Sequence, residues 1–425
     1  MTMADATAAV APGTPEATAR FVGDRRAYWR LLVRGAVLLA VSLGIYRFWY
    51  ATDVRRFLWS NTEIAGETLE YTGTALELLI GFLIAIALLV PLYLGFAVAA
   101  LGFGPLGQLI SALSVPLLFV LGQFAVYRAR RYRLTRTVYR GVRCHQGGSA
   151  VRYAICATFW WVLIALTLGL AYPFAQSRLE RFKMRNTYYG NLRGRFAGSG
   201  FRLFLRGLPM WFLVAGPVAF ALAFSISTVE WDKVLASAAA SGGGDFLNQL
   251  ETAFPGVYSA IVVWMAALSI SIIMAALLFP AFQAMMLRWW IGGLRFETLA
   301  IRSELRTAAI YAAYLRFLWY GVLFFFALVI LGSLLLAAAY YVSAQWGGTD
   351  LTEIATAAIG LASYVMAMLG FSAIYQGTVK FALWRCGVDS IVLDGADALA
   401  RVDAQGAPSS AVGEGLADAL NVGGF

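Results

Sequence analysis

Arg56-Phe57-Leu58-Trp59-Ser60-Asn61-Thr62 is a heptapeptide that the chain repeats in related form. The second copy is Arg181-Phe182-Lys183-Met184-Arg185-Asn186-Thr187, so the pattern R-F-x-x-x-N-T recurs at an offset of 125. The register holds without a gap on both sides, because Leu43-Gly44 matches Leu168-Gly169 and Tyr71-Thr72-Gly73 matches Phe196-Ala197-Gly198. We interpret this match as an internal duplication, which is a frequent way of building membrane transporters.

The composition predicts a membrane protein. Apolar residues make up 60% of the 425 residues and charged residues only 13%, whereas a soluble protein has about 25% charged residues. The net charge of +10 is carried almost entirely by arginines that lie beside apolar segments. This arrangement favours an anionic cytoplasmic leaflet over nucleic acid as the partner of the basic residues.

The long apolar segments predict three transmembrane helical hairpins. The first joins 78–101 to 106–127 through Phe103-Gly104-Pro105, a connector too short for anything but a tight reversal. The arginine-rich residues 128–152 then mark the cytoplasmic side. The other two hairpins are predicted at 207–228 with 257–287 and at 317–343 with 354–376. We therefore expect an all-α polytopic fold with both termini in the cytoplasm.

Two further apolar segments, 36–46 and 154–175, are harder to place. Residues 34 and 47 are both arginines, and so the first segment is shorter than the roughly 20 residues that a span requires. The second segment has basic residues on both flanks, which favours a re-entrant or interfacial segment. The alternative is that both segments span and one loop violates the charge rule. The segments that follow each copy of the heptapeptide, 62–73 and 187–198, have the pattern of two short strands around a glycine turn.

These predictions divide the chain into five parts. Residues 1–19 are expected to be a disordered tail, and 20–150 and 151–287 to be two membrane repeats. Residues 288–387 form the C-terminal membrane hairpin and 388–425 an acidic cytoplasmic tail.

The junctions between apolar segments and basic loops supply the candidate binding residues. At these junctions an arginine precedes an aromatic residue, and a weaker match occurs at Lys380-Phe381. One interpretation is interfacial anchoring, in which the ring lies at headgroup level and the guanidinium reaches phosphate. The sharper one is a shared polar site for an anionic headgroup or solute, formed by Arg56, Asn61, Arg131, Arg181, Asn186 and Arg288.

Motifs for catalysis or metal binding are missing from the sequence. The one histidine, His145, lies beside Cys144 in an arginine-rich loop, and we expect both residues to be exposed and no metal to bind there. The sequence contains no Walker P-loop, H-E-x-x-H or G-x-S-x-G motif. We therefore expect no cofactor and no enzymatic activity.

The chain resembles the YjgN family, the domain of unknown function numbered 898. The resemblance is carried by the R-F-x-x-x-N-T pattern, by Leu168-Gly169 with Pro173-Phe174-Ala175, and by the C-terminal segment 413–425. It implies a bacterial inner-membrane protein and brings no established activity. Two functions are expected: recognition or movement of anionic phospholipid or an amphipathic solute, or a scaffold or regulatory subunit for a membrane partner such as a protease or transporter.

Overall fold

A computed structural model describes residues 17–240, 255–346, 349–395, 399 and 402–403. Within these residues the chain is mainly helical. The helices are α1 (Arg25–Val41), α2 (Arg47–Ser60), α3 (Ala75–Gly102), α4 (Gly104–Ala112), α5 (Ser114–Thr135), α6 (Ala150–Leu166), α7 (Tyr172–Arg185), α8 (Gly200–Thr228), α9 (Trp231–Ala240), α10 (Pro255–Gly293), α11 (Thr307–Trp346), α12 (Thr349–Tyr375) and α13 (Phe381–Asp389), with a π-helical turn (Gln376–Lys380) between the last two.

Ten short strands of the described chain form a closed antiparallel ring. Each strand pairs with the next one along the chain, and β1 pairs with β10 through Ala17 opposite Leu393. The prediction of an all-α protein is therefore wrong. The strands are β1 (Ala17–Phe21), β2 (Thr62–Ile64), β3 (Glu67–Tyr71), β4 (Thr137–Tyr139), β5 (Val142–Gln146), β6 (Thr187–Tyr189), β7 (Leu192–Phe196), β8 (Leu294–Phe296), β9 (Leu299–Ser303) and β10 (Ile391–Asp394).

The ring explains how such short strands remain stable. An isolated two-stranded hairpin is marginal in water, and an open sheet leaves backbone groups unpaired at its edges. Closure removes both edges. Tyr139 and Tyr189, which are buried, form part of an apolar cluster with Val142 and Leu192. The hydroxyl of Tyr139 donates to the carbonyl of Ile64 (2.7 Å), and that of Tyr189 donates to the carbonyl of Tyr139 (3.0 Å).

The ring has a five-fold repeated construction. Four units share one order of elements: a strand of three residues, a turn of two, a strand of five, a link of three, and then a helix. The fifth unit combines β10 with β1, which come from opposite ends of the chain. The same backbone bond recurs in every unit: the carbonyl before the short strand accepts from the N–H just after a neighbouring long strand. The pairs are Asn61 with Val22, Arg136 with Thr72, Asn186 with Gly147, Gly293 with Ala197 and Ser390 with Glu304, at 2.8–2.9 Å.

Six helical segments of the described chain are long and apolar enough to cross a membrane: Ala75–Gly102, Gly104–Thr135, Gly200–Thr228, Gly256–Gly293, Thr307–Gln345 and Thr352–Asp389. The protein is a multi-pass membrane protein. These segments form hairpins that leave the strand ring and return to it. The ring therefore lies on one face of the apolar layer, and both ends of the described chain lie on that face.

The two shorter apolar segments reverse direction. Helices α1 and α6 have 17 residues each, about 25 Å at 1.5 Å per residue, and each is followed by a turn that leads back to the ring. The turns contain Leu43-Gly44 and Leu168-Gly169, all with positive φ. The indole Nε1 of Trp211 donates to the carbonyl of Leu168 (2.8 Å), which fixes the tip of the second short hairpin beside α8.

The offset of 125 residues also relates the helices and strands of the two copies. The starts of α1, α2, β2, β3 and α3 are separated by 125 residues from those of α6, α7, β6, β7 and α8. The expected N-terminal tail lies outside the described residues up to residue 16, and 17–19 belong to β1. In the expected acidic tail, residues 391–394 form β10, and residues 404–425 lie outside the described chain.

Candidate functional site

One basic position is shared by all five units of the ring. It lies six residues before each short strand and is occupied by arginine each time. The fifth of these is Arg385, five residues beyond the Lys380 that the sequence comparison had matched. Lys380 itself lies in the π-helical turn. The arginines are Arg56, Arg131, Arg181, Arg288 and Arg385.

Four of these arginines connect the end of one helix to the start of another, whereas Arg385 pairs with Asp389 of its own helix (3.4 Å). The Nη2 groups of Arg56 and Arg181 donate to the carbonyls of Gly73 (3.1 Å) and Gly198 (3.2 Å). Arg131 makes the equivalent bond to the carbonyl of Gly148 and a second one to Gly147. Arg288 instead donates to the hydroxyl of Thr307 (3.1 Å). A guanidinium used in this way orients the helix ends, so the shared position has a structural role.

The glycines at these contacts are required by the aromatic side chains before them. A Cβ atom at Gly73 would lie 2.6 Å from the ring of Tyr71, and one at Gly198 would lie 2.5 Å from the ring of Phe196. The aromatic ring at the end of each strand therefore folds over the glycine. This contact accounts for the aromatic-x-Gly pattern that accompanies both copies of the heptapeptide.

The Asn-Thr pair of the repeated pattern caps the helix that precedes it. The amide groups of Asn61 and Asn186 donate to the carbonyls of Phe57 and Phe182, both at 2.8 Å. The hydroxyl of Thr187 donates to the carbonyl of Lys183 (2.9 Å), and Thr62 makes the matching bond. The last carbonyls of a helix have no partner within it, and these side chains satisfy them. Both asparagine amides are thus committed to the helix end.

Arg181 and Asn186 line a cavity together. The other predicted residues, Arg56, Asn61, Arg131 and Arg288, make their contacts within their own junctions around the ring. The structure therefore distributes the six predicted residues along the ring, and one junction carries the cavity.

We name this cavity the arginine cleft, and its volume is about 340 Å³. It lies between the start of α6 and the length of α7. Arg152, Arg178 and Arg185 are exposed, and Arg181 is half-buried. Within the described chain, no carboxylate forms an ion pair with any of the four. The lining residues are Gly148, Ser149, Arg152, Arg178, Arg181, Phe182, Arg185 and Asn186.

A second cavity, of about 470 Å³, shares Arg178 and Arg181 with the arginine cleft. Its walls come from α6, α7 and the start of α8, and Trp160, Phe174 and Phe201 make them largely apolar. We name it the apolar slot. Together the two cavities present cationic groups at one end and aromatic surface at the other.

The cleft belongs to one copy of the duplication only. At the offset of 125, Arg152, Arg178 and Arg185 correspond to Ala27, Asp53 and Ser60, and only Arg181 has an arginine partner, Arg56. The candidate residues predicted from the repeat are those that the two copies share, and so the three arginines that differ between the copies are not among them. Comparing the charges of the two copies position by position would have found them.

Comparison with models of known protein families identifies the family of the chain. The family model described as "Bacterial protein of unknown function (DUF898)" matches residues 16–419. The chain belongs to this family. No curated protein and no solved structure matches the chain.

Beside the cleft, the DUF898 chain buries a group of charged side chains. Glu180 accepts from the ammonium of Lys183 and from Trp290 Nε1 (3.1 Å), and Arg130 Nη1 lies 3.6 Å from its carboxylate. Burial alone would raise the pKa of Glu180, but the charges of Lys183 and Arg130 hold it below its usual range. Burial is the main cause that lowers the pKa of Lys183. The residues come from α5, α7 and α10, and so the cluster ties three hairpins together.

Cys144 and His145 are partly buried, contrary to the expectation that both are exposed. They lie on β5, where Cys144 packs against the cluster that includes Tyr139 and Leu192. Burial raises the pKa of the Cys144 thiol to about 12 and lowers the pKa of His145. The imidazole of His145 stacks on Tyr188 at 4.9 Å. Among the residues that the structure describes, no group of three potential metal-ligating side chains occurs.

Proposed function

We propose that this DUF898 protein binds anionic phospholipid non-covalently at the cytoplasmic leaflet of the bacterial inner membrane. The arginine cleft would hold the phosphate and the apolar slot an acyl chain. The observation that carries this proposal is that Arg178 and Arg181 line both cavities, which therefore lie side by side. A cationic cavity beside a largely aromatic one matches the two parts of an amphipathic anion in chemistry.

The depth of the short hairpin supports the proposal. Trp211, which contacts the hairpin tip at Leu168, is eleven residues along α8 from Gly200, about 17 Å at 1.5 Å per residue. The hydrocarbon layer is about 30 Å thick. The hairpin formed by α6 and α7 therefore stops well short of the far end of α8, which has 29 residues, and the slot between α6, α7 and α8 lies beside the first part of α8.

The distribution of charge supports the cytoplasmic orientation. The strand ring carries the arginine-rich segments, whereas the connection between α8 and α10 contains acids and no arginine. The positive-inside rule then assigns the ring to the cytoplasm. A basic side chain near an anionic leaflet contributes about 1 kcal/mol. Four arginines around one cleft would give at most about 4 kcal/mol in favour of an anionic headgroup.

The test is lipid binding by the purified protein in nanodiscs of defined composition. Native mass spectrometry would count the bound phosphatidylglycerol and phosphatidylethanolamine molecules for the wild type and for Arg152→Ala/Arg178→Ala. We expect the wild type to retain phosphatidylglycerol and the variant to lose at least ten-fold in affinity. Arg202→Ala/Arg206→Ala is the matched control, because it removes two exposed arginines of α8 that line neither cavity.

A second comparison separates a lipid site from a phosphate site. Phe174→Ala shortens the apolar wall of the slot and keeps all four arginines. It should weaken short-chain phosphatidylglycerol and leave the affinity for glycerol phosphate unchanged. Equal binding of phosphatidylglycerol and phosphatidylethanolamine, or unchanged binding by the double arginine variant, would refute the proposal.

A further inference from the structure

The strand ring carries a second basic surface, on the outer side of β7. A cavity of about 700 Å³ lies there, and we name it the basic groove. Arg193 and Arg195 project into it from the strand, and Arg181 and Arg185 from the end of α7. Glu297 is the one acid among its lining residues. The groove therefore combines four guanidinium groups with a single carboxylate.

The strand geometry keeps these arginines on the outside. Along β7, Leu192, Gly194 and Phe196 are buried, and the two arginines between them are exposed. This alternation is the two-residue period of a strand with one buried face. Arg193 Nε donates to the carbonyl of Arg185 (2.8 Å), which joins the strand to the end of α7 along the groove.

The described part of the chain ends next to this groove. After β10, Leu399 and Val402 pack on the cluster formed by Tyr139 and Tyr189. The N–H of Asp403 then donates to Asn191 Oδ1 (3.3 Å), in the turn between β6 and β7. A Cβ atom at Gly190 would lie 2.3 Å from the carbonyl oxygen of Asp403, and so glycine allows this approach. The C-terminal chain thus arrives two residues before Arg193.

The sequence that continues from this point is complementary in charge. Residues 404–425 lie outside the described chain and contain Glu414 and Asp418 but no lysine or arginine. The two acids are four residues apart, as are Leu416 and Leu420, and in a helix each pair shares a face. From Asp403, eleven residues to Glu414 can extend about 35 Å at 3.3 Å per residue. The acids can therefore reach any part of the groove.

We propose that residues 404–425 dock in the basic groove of their own chain, with Glu414 and Asp418 paired to Arg193 and Arg195. The apolar residues between the acids would cover Ala197, which is exposed at the end of β7. This intramolecular contact does not require lipid.

Hydrogen–deuterium exchange in detergent, without added lipid, tests the docking directly. We expect amides in 410–421 of the wild type to exchange at least ten-fold more slowly than the same residues in a free peptide. Arg193→Glu/Arg195→Glu should remove this protection, and adding Glu414→Arg/Asp418→Arg to that variant should restore it. Arg202→Glu/Arg206→Glu is the control, because it makes the same change of charge on exposed positions of α8.

Three outcomes would overturn the proposal. The first is exchange of the wild-type tail at the free-peptide rate. The second is protection that persists in Arg193→Glu/Arg195→Glu, which would place the tail elsewhere. The third is protection that disappears on dilution to the monomer, which would assign the groove to the tail of a second copy. Because no lipid is present, failure here is distinguishable from failure of phospholipid binding.

Discussion

Replacing Glu180 by leucine tests whether the buried charges at the ring stabilise the fold. The carboxylate is 6% exposed and is the partner of both Lys183 and Arg130. Its removal leaves two cations near each other without a counter-charge, and it also removes the acceptor of Trp290. Breaking a buried ion pair from one side costs about 3–5 kcal/mol. We expect Glu180→Leu to lose unfolding free energy in that range.

The unfolding free energy can be measured by SDS titration of the protein in mixed micelles, with tryptophan fluorescence as the signal. Glu180→Leu/Lys183→Met is the decisive companion, because it removes one cation together with the carboxylate. Replacing both partners of a buried pair is often nearly neutral, and so the double variant should regain more than half of the loss. A loss below about 1 kcal/mol in the single variant, or no recovery in the double one, would refute the ion-pair reasoning.

Two further predictions concern the ring itself. Burial lowers the pKa of His145, and so the folded state resists protonation of this imidazole. The neutral imidazole therefore contributes fully to stability above the ordinary pKa of 6.5, and this contribution is lost as the pH falls from 6.5 through the lower pKa of the folded state. Unfolding free energies at pH 7.5 and 5.5 should therefore differ less in His145→Phe than in the wild type, and an equal difference would contradict the assignment. Gly198→Ala places a Cβ atom 2.5 Å from the Phe196 ring and should cost about 1–3 kcal/mol of unfolding free energy. Gly216→Ala lies inside α8, meets no atom within 4 Å and should be neutral or stabilise by up to about 1 kcal/mol. A loss in Gly216→Ala equal to that in Gly198→Ala would show that the ring contact is unimportant.

The duplication could be predicted because the features that the two copies share depend on residues close together in the sequence. Helix caps, turn glycines and the arginine before each strand depend on neighbours a few residues away, and the same local rules recur at an offset of 125. The strand ring could not be predicted in the same way. Its strands have three to five residues, too few for a period-two pattern to be distinguished from loop sequence. The hairpin patterns at 62–73 and 187–198 were recognisable, but nothing local indicates that five such hairpins close into a ring.

The pairing of β1 with β10 is the clearest example of this limit. It joins Thr18 to Val392, and no local pattern links segments so far apart in the chain. The sequence predicts a disordered tail over 1–19, but residues 17–19 lie in β1. Their order comes from the neighbouring strands, since Ala19 is 4% exposed between β2 and β10. Long-range pairing of this kind is a tertiary effect, and it overrides local preference.

At the candidate site, the residues that the two copies share and the residues that line the cleft have different roles. At a shared junction the arginine is used by the backbone: Arg56 and Arg181 bind equivalent carbonyls at nearly equal distances. Because these bonds hold the helix ends, the residues around them can change without loss of the ring. The first copy carries Asp53 where the second carries Arg178. A duplicated backbone therefore supplies two similar short hairpins, and in the described chain the unshared arginines line the cleft of the second one.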